Sequence, residues 1–235
     1  MSNLLYRRIL LKLSGEALKG SCEFGLDAAV LEYIGREVRK VWQSSVEIGV
    51  VVGGGNIYRG CSAVSVARPT ADYIGMLATV MNALALKSAL ERADVPVEVM
   101  SAVSMVPICS EYMHSSAVDS MSKGRVVIFA CGSGNPYFTT DTAATLRALE
   151  MSCDVLVKAT KVDGVFNKDP VQHHDASLYT KISHTEVLHQ DLAVMDKTAI
   201  ALAEEHSLPI MVYSMLKEDA LVNTMRGYGV FSLIS

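Results

Sequence analysis

The sequence predicts an α/β protein: a three-layer α/β/α arrangement around a mainly parallel central sheet. Short runs of apolar, β-branched residues alternate with longer amphipathic segments, and the short runs are continuously apolar. Continuous apolar strands are typical of parallel sheets that helices cover on both faces. The length agrees, because 235 residues of which 50% are hydrophobic can bury a large core. We therefore expect one domain over residues 1–235.

Strands and helices alternate regularly in the first half of the chain. Asp27 is a good helix N-cap, and the apolar residues after it recur at helical spacing. Gly124 is a typical helix stop. The elements predicted there are a strand over 8–13, a helix from 27, a strand over 48–52, a helix over 71–92, a strand over 97–100 and a helix over 111–123.

The second half continues the same alternation. Thr140 or Asp141 is expected to cap the helix that follows the strand over 126–130 and runs to about residue 151. The remaining predicted elements are a strand over 154–158, helices over 185–189 and 196–206, a strand over 210–213, a helix over 218–226 and a strand over 230–234.

Charge and cysteine content narrow the class of protein. The net charge is −4 and no dense basic tract occurs, which argues against a nucleic-acid-coating surface. The five cysteines form no CxxC pair, so we expect neither a zinc ribbon nor a thioredoxin-type motif, and we expect reduced thiols. No residue is assigned to a metal site. The longest apolar stretch, residues 74–86, is too short to span a bilayer. A cytoplasmic protein without membrane or nucleic-acid partners is expected.

Three of the predicted strands end in glycine-rich turns, which begin at Ser14, Gly53 and Gly132. Glycine lets backbone N–H groups approach an anion closely, and ligands of parallel sheets bind beyond the carboxyl ends of the strands. One such turn is often only a tight connection, but three at one edge predict more than one bound phosphate group. Residues 20–25 have the glycine spacing of a Walker A loop without its Lys-Ser/Thr, so another binding scheme is expected.

Charged residues accompany these turns. Lys12 lies within an otherwise apolar strand, so either an anion or a carboxylate should meet it, unless it extends from the strand end to solvent. Arg59 follows the triple glycine closely enough to reach an anion there, and Lys158 ends a strand at the same edge. Asp141 could orient a lysine, hold Mg²⁺ or simply cap its helix.

Five blocks of sequence resemble the bacterial-type uridylate kinases of the amino acid kinase superfamily, and the resemblance covers nearly the whole chain. The blocks are Arg8–Leu18, Val52–Gly60, Gly75–Asn82, Gly132–Asp141 and Lys158–Phe166, the last followed by Lys168–Pro170. The resemblance implies the amino acid kinase fold and transfer of the ATP γ-phosphoryl group to UMP, giving ADP and UDP, in de novo pyrimidine nucleotide synthesis. It also implies Mg²⁺ with ATP, a homohexamer and inhibition by UTP.

Matching positions give the site residues that the resemblance implies. The catalytic residues would be Lys12, Asp141 and Lys158. ATP would contact Lys12, Leu13, Ser14, Gly15, Gly55, Arg59, Thr160, Phe166 and Asp169. UMP would contact Gly54, Asp72, Ser133, Gly134, Asn135, Pro136, Tyr137, Phe138, Thr139 and Thr140. Ser133 stands where the family often has threonine, which keeps the hydroxyl.

The resemblance also places a GTP effector site, between subunits. Its residues would be Gly20, Ser21, Cys22, Glu23, Phe24, Gly25 and Arg125, with Lys87 as a further cation. Glu91 and Glu98 stand where GTP-activated members are expected to carry basic or histidine side chains, and carboxylates repel a triphosphate. The expectation is weak activation by GTP, or none.

Two other functions remain open from the sequence. A kinase of the same superfamily that phosphorylates a carboxylate or a carbamate would share the fold and the Lys12–Gly15 block. A binding protein on the same fold, without turnover, is the second alternative. The block over 135–140 and Asp72 favour a nucleotide acceptor, and the retention of Lys12, Arg59, Asp141 and Asp169 together favours an active enzyme.

Overall fold

A nine-stranded sheet forms the centre of the molecule in the computed structural model, which describes residues 4–58 and 66–235. In chain order the elements are β1 (Arg8–Leu13), α1 (Gly15–Leu18), α2 (Ala28–Trp42), β2 (Glu47–Val52), α3 (Arg68–Arg92), β3 (Val97–Ser101), β4 (Ser110–Glu111), α4 (His114–Ser122), β5 (Val126–Ala130), α5 (Thr140–Glu150), β6 (Val155–Thr160), β7 (Val165–Phe166), β8 (Leu178–Tyr179), β9 (Lys181–Ile182), α6 (His184–His189), α7 (Lys197–Glu205), β10 (Ile210–Ser214), α8 (Ala220–Met225) and β11 (Phe231–Ile234).

The strand order is β4-β3-β5-β2-β1-β6-β10-β11-β9. Every pairing within this sheet is parallel except β10 with β11, where the final strand runs antiparallel to its neighbour. β7 and β8 form a separate antiparallel pair. The predicted fold class, a mainly parallel sheet in an α/β/α arrangement, is confirmed.

Helices cover both faces of the sheet because strand side chains alternate between them. Ile9 and Leu11 of β1 belong to a core shared with α2, α3 and α8. Leu10 belongs to the opposite core, with α4, α5, α6 and α7. Lys12 follows the same alternation, so its side chain lies on the face of Leu10, toward α5.

Side-chain caps define the starts of α2 and α5, and the cap of α5 differs from the prediction. Asp27 caps α2 as predicted, accepting hydrogen bonds from the N–H groups of residues 29 and 30. The prediction that Thr140 or Asp141 caps α5 is wrong: Thr139 is the N-cap and accepts from the N–H groups of Asp141 and Thr142. Asp141 is therefore inside the first turn and its carboxylate is free for another role.

The predicted helix over 111–123 begins too early. Ser110 and Glu111 form the edge strand β4 beside β3, and α4 starts only at His114. The sequence also gave no signal for the short strands β7, β8 and β9, whose two residues each are too few for a periodic pattern. Such short elements form because a neighbouring strand supplies the hydrogen bonds.

α3 is the one helix, among the described residues, long and apolar enough to cross a membrane by length and composition. It has 25 residues because it begins at Arg68, three residues before the predicted helix over 71–92, and half of its most apolar window is buried inside the molecule. Its buried residues pack into the core that α2, α8 and the sheet share. That packing is typical of a core helix.

Candidate active site

The three glycine-rich turns lie side by side at the carboxyl edge of the sheet. They follow β1, β2 and β5, which are neighbours in the order β5-β2-β1 and run parallel. The expectation that these turns share one edge is confirmed. Here the first two turns also touch: a Cβ on Gly15 would lie 2.7 Å from the N atom of Gly55 and 2.8 Å from the O atom of Gly53. Only glycine fits such an approach.

A buried ionic cluster lies beside the first turn. Lys12 and Lys158 are direct neighbours in the β1–β6 register, and their side chains are 7% and 12% exposed. Asp141 lies between them, with Oδ1 2.6 Å from Lys12 Nζ and Oδ2 2.8 Å from Lys158 Nζ. Each oxygen of this carboxylate is therefore paired with one lysine ammonium group. The predicted carboxylate partner of Lys12 is thus Asp141.

The electrostatics of this cluster favour a bound anion. Burial raises the pKa of the Asp141 carboxyl, but the Lys12 and Lys158 charges outweigh burial and hold its pKa below the usual value. Burial lowers the pKa of Lys158, against the opposing effect of Asp141. Two ammonium groups share one carboxylate, so the cluster carries excess positive charge. An anionic phosphoryl group beside it would favour the charged form of Lys158.

The start of α5 is fixed by Asp196, which sequence reasoning recognised only as the beginning of a helix. Asp196 caps α7 through the Ala199 N–H at 3.0 Å. Its carboxylate also accepts from Thr139 Oγ1 at 2.5 Å and from Thr142 Oγ1 at 2.9 Å. The starts of α5 and α7 are therefore joined through Thr139 and Asp196. This contact fixes the first turn of α5 and so orients Asp141. An N-cap aspartate is visible in a sequence, but these threonine partners are not.

A cavity of about 580 Å³ opens from the ionic cluster. Five of the residues predicted for ATP line it: Lys12, Ser14, Thr160, Phe166 and Asp169. Lys158 lines it too, and the further lining residues were not predicted as ATP contacts: Ala159, Lys161, Val162, Gly164, Val165, Asn167, Lys168, Pro170, Gln190, Asp191, Leu192, Ala193, Val194 and Val212. Such a volume suits a nucleotide-sized ligand.

The other residues predicted for ATP lie at the glycine turns. Leu13 has a buried side chain, so only its backbone could meet a ligand. Gly15 and Gly55 are the two closely packed turn residues described above. Arg59 lies outside the described residues.

The segment predicted to hold UMP connects β5 to α5 and is joined to α3 by Asp72. The Asp72 carboxylate accepts a hydrogen bond from the Tyr137 N–H at 2.8 Å and pairs with Arg68 at 2.9 Å. Burial raises the pKa of Asp72, but the Tyr137 hydrogen bond and the Arg68 charge outweigh it and the pKa is lowered. Ser133 and Asn135 hydrogen-bond each other within the turn.

The remaining residues of this segment are placed as follows. Tyr137 and Phe138 are 67% and 50% exposed. Gly54 packs so tightly on α3 that a Cβ would lie 2.7 Å from Gly75 O. Gly134, at φ +80°, has the left-handed backbone that glycine adopts without strain. Pro136, Thr139 and Thr140 lead from this turn into α5. The structure thus brings the predicted UMP residues to one side of the ionic cluster.

The residues predicted for GTP are not together in one chain. Gly25 donates its N–H to Asn56 O at 2.9 Å, which places segment 20–25 beside the turn after β2, at the carboxyl edge of the sheet. Arg125 directly precedes β5 at the opposite edge, where it lines a cavity of about 490 Å³ with Lys87 and Glu98. A site containing both parts would need a second copy of the chain.

Known proteins resemble this chain over nearly its full length. The model of the amino acid kinase family matches residues 7–214. The uridylate kinase of Paramagnetospirillum magneticum is 50% identical over 236 residues, which cover 100% of this chain and 98% of that relative.

Solved structures give the same result. The UMP kinase of Bacillus anthracis superposes with a TM-score of 0.95 at 35% identity, covering 98% of this chain and 96% of that one. The UMP kinase of Ureaplasma parvum gives 0.93 at 33% identity, covering 97% and 98%. The family resemblance and the fold that it implies are therefore confirmed.

Proposed function

The chain belongs to the amino acid kinase family and, within it, to the uridylate kinases, and on that premise we propose that it transfers the γ-phosphoryl group of ATP to UMP, giving ADP and UDP. The observation that carries the proposal is the buried cluster of Lys12, Asp141 and Lys158 between a nucleotide-sized cavity and the segment 133–140. Both substrates can reach this cluster from opposite sides.

The reaction needs no general base. The nucleophile is a phosphate oxygen, and because the second pKa of a phosphate monoester is about 6 it is ionised at neutral pH. The difficulty is to bring two polyanions together, so catalysis depends on positioning and on stabilising charge. Lys12 meets the group in transfer, Asp141 orients the two lysines, and Lys158 supplies the second positive charge.

ATP and UMP are assigned to different parts of the site. In this proposal Thr160, Phe166 and Asp169 hold the adenosine part of ATP, while Ser14, Gly15 and Gly55 receive its phosphates through backbone N–H groups. Gly54, Asp72 and segment 133–140 hold UMP. The phosphoryl group then crosses the junction of the β1 and β2 turns, beside Lys12.

The donor set fits a Mg²⁺ ion that arrives with ATP. Among residues 4–58 and 66–235 no three His, Cys, Asp or Glu side chains are grouped to hold a metal by themselves. Mg²⁺ is commonly held by one or two carboxylates together with substrate phosphates and water. Here both Asp141 oxygens meet lysine ammonium groups, at 2.6 and 2.8 Å, so the ATP phosphates and water would supply most of the metal ligands. When bound, the ion would neutralise phosphate charge.

Regulation and assembly extend the same proposal. UTP inhibits by occupying the UMP site, and GTP activates weakly or not at all. The protein is cytoplasmic and takes part in de novo pyrimidine nucleotide synthesis.

The protein assembles as a homohexamer. Contacts between copies are supported by exposed apolar side chains at helical spacing on α3, which are Tyr73, Leu77 and Met81. Their exposed fractions are 49%, 51% and 56%.

A coupled assay for ADP formation tests the function. We expect turnover that requires both Mg²⁺ and UMP, with much lower rates for CMP, AMP and GMP. Glutamate and carbamate are the acceptors that would reveal another kinase of the same family. Absence of ADP formation with every acceptor, in a folded protein that binds ATP, would indicate a binding protein instead.

A further inference from the structure

Helix α3 presents a row of small and polar residues to two of the glycine-rich turns. Ala78 and Thr79 lie three and four positions after Gly75 and four and three positions before Asn82, so the four residues share one face of the helix. Thr79 and Asn82 are 2% and 0% exposed. None of these four residues has a role in the function proposed above.

Asn82 is bonded to the turn that follows β2. Its Nδ2 donates to Gly53 O at 2.6 Å and to Asn56 Oδ1 at 2.7 Å. Asn56 returns a bond from its own Nδ2 to Asn82 Oδ1 at 3.0 Å, and its second N–H reaches Gly25 O at 2.7 Å. All four amide hydrogens of this buried pair are used. A fully satisfied buried amide pair fixes geometry, because displacing either side chain leaves polar groups unpaired.

Thr79 is bonded to the turn that follows β5. Its Oγ1 accepts from the Cys131 N–H at 2.9 Å and donates to Met76 O at 2.7 Å. Cys131 has a φ of +61°, a left-handed conformation that non-glycine residues adopt at a cost. The Thr79 hydroxyl therefore supports a strained residue two positions before the segment 133–140 that is assigned to UMP.

We propose that Thr79 and Asn82 are positioning residues: through Cys131 and through Gly53 with Asn56, α3 sets the distance between the acceptor turn and the phosphate turn. This inference rests on the proposed function for its kinetic consequence. Because a misplacement of 1 Å can cost about 10²-fold in rate, losing either contact should lower kcat by about tenfold or more. The KM values should change little, since the contacts to each substrate remain.

The amide pair gives a test that separates positioning from folding. Asn82→Leu and Asn56→Leu each leave a buried amide without its partner and should lower stability. The double variant replaces both partners with apolar groups and should recover part of that stability in urea unfolding. Positioning predicts that its kcat nevertheless stays low. Recovery of kcat together with stability would overturn the proposal.

Substitutions at Thr79 give a second test, in which one variant removes the hydroxyl and a conservative variant restores it. Thr79→Val removes the acceptor of the Cys131 N–H at nearly constant volume, and Thr79→Ser restores it. We expect kcat to fall in the valine variant and to return in the serine variant. The matched control is Thr224→Val, a buried threonine on α8, which should leave kcat unchanged. A Thr79→Val protein with the kcat of the unaltered enzyme would refute this part of the proposal.

Amide hydrogen exchange measures how firmly the turns are held and does not depend on catalysis. In the double asparagine variant we expect faster exchange in residues 53–58, and in Thr79→Val in residues 131–134, with β10 unchanged. A uniform increase over the chain would mean general destabilisation and would contradict the proposal. Should the unaltered protein fail to phosphorylate UMP, the proposed function would fall, whereas the exchange pattern would still decide whether α3 holds the turns.

Discussion

Lys12 carries a positive charge in the interior of a parallel sheet, where charged side chains are rare unless they are paired. Its side chain is 7% exposed and its charge is balanced by Asp141 at 2.6 Å. Lys158 lies beside it in register and shares the same carboxylate. Because burying three charges is costly, their arrangement is better explained by the anion that they would bind than by stability alone.

Replacing Lys12 by alanine should affect turnover more than UMP affinity. The lysine meets charge that moves during transfer, so kcat should fall on the order of 10²–10³-fold, as for removal of one electrostatic stabiliser. Steady-state kinetics with both substrates varied measures this loss. Lys181→Ala, at an exposed lysine on the edge strand β9, is the matched control. Normal turnover in a folded Lys12→Ala protein would rule out the assignment of Lys12 to the phosphate.

Asp72→Asn should weaken UMP and leave ATP almost unaffected. Hydrogen bonds to a charged group contribute roughly 1.5–3 kcal/mol, so the KM for UMP should rise at least about tenfold. The variant keeps an oxygen for the Tyr137 N–H but loses the charge that Arg68 balances. Measuring both KM values decides the matter. An equal rise for the two substrates would assign Asp72 to the support of the fold.

At the scale of elements, α5 shows how a helix start can organise a site. Its N-cap is Thr139, one residue before Thr140 and two before Asp141, the two candidates from the sequence, so the Asp141 carboxylate is not used as a cap and instead pairs with two lysines. Asp196 of the α7 cap holds Thr139 in place. The precision of the ionic cluster therefore depends on a contact between two helix starts.

The cap assignment can be tested by stability alone. Thr139→Ala removes the side chain that accepts from the N–H groups of Asp141 and Thr142, so unfolding in urea should show a loss of about 0.5–2 kcal/mol. Thr140→Ala is the matched control, because Thr140 lies inside the helix and should cost much less. A larger loss from Thr140→Ala would restore the cap position that the sequence suggested.

At the scale of the whole molecule, the two edges of the sheet have different functions in the proposal. The carboxyl edge carries the glycine turns and the ionic cluster. The amino edge carries Arg125, with Lys87 and Glu98 beside it in the same cavity. Regulation by nucleotides can therefore arise at the substrate site or at the opposite edge, and kinetics can separate the two.

UTP should inhibit by competing with UMP. It offers the same uracil and ribose, and its extra phosphates can approach the Lys12–Lys158 cluster. Initial rates at several UMP concentrations should show an apparent KM for UMP that rises with UTP while the maximal rate is unchanged. A fall in maximal rate without a change in KM would place UTP at another site.

GTP should activate weakly or not at all. The Glu98 carboxylate accepts hydrogen bonds from Ser110 and Ser120 beside Arg125, and Glu91 lies 3.8 Å from Lys87. These carboxylates disfavour three phosphates, although salt reduces the penalty at exposed positions. Replacing Glu91 by His and Glu98 by Arg should strengthen the response in a GTP titration. Robust activation of the unaltered protein at sub-millimolar GTP would contradict this interpretation.

Much of the fold was predictable because its signals are local. Apolar runs such as residues 8–13 and 48–52 became strands, and Asp27 became a helix cap, since side-chain pattern and capping act within a few residues. The predicted start of α4 was wrong because Ser110 and Glu111 form a strand that pairs with β3, and such a contact joins elements that are separate in the sequence. The conformational preferences of a short segment do not indicate which distant segment it will pair with.

The sequence by itself predicted the parallel α/β architecture, the three glycine turns at one edge and the expectation that an anion or a carboxylate meets Lys12. Only the tertiary structure decided that Asp141 meets both lysines, that Asp196 holds Thr139, and that Asn82 and Thr79 bind the turns. The physical reason is distance along the chain. A strand or a cap is stabilised by neighbours, whereas these polar contacts exist only after the sheet order has brought β1, β2, β5 and β6 together.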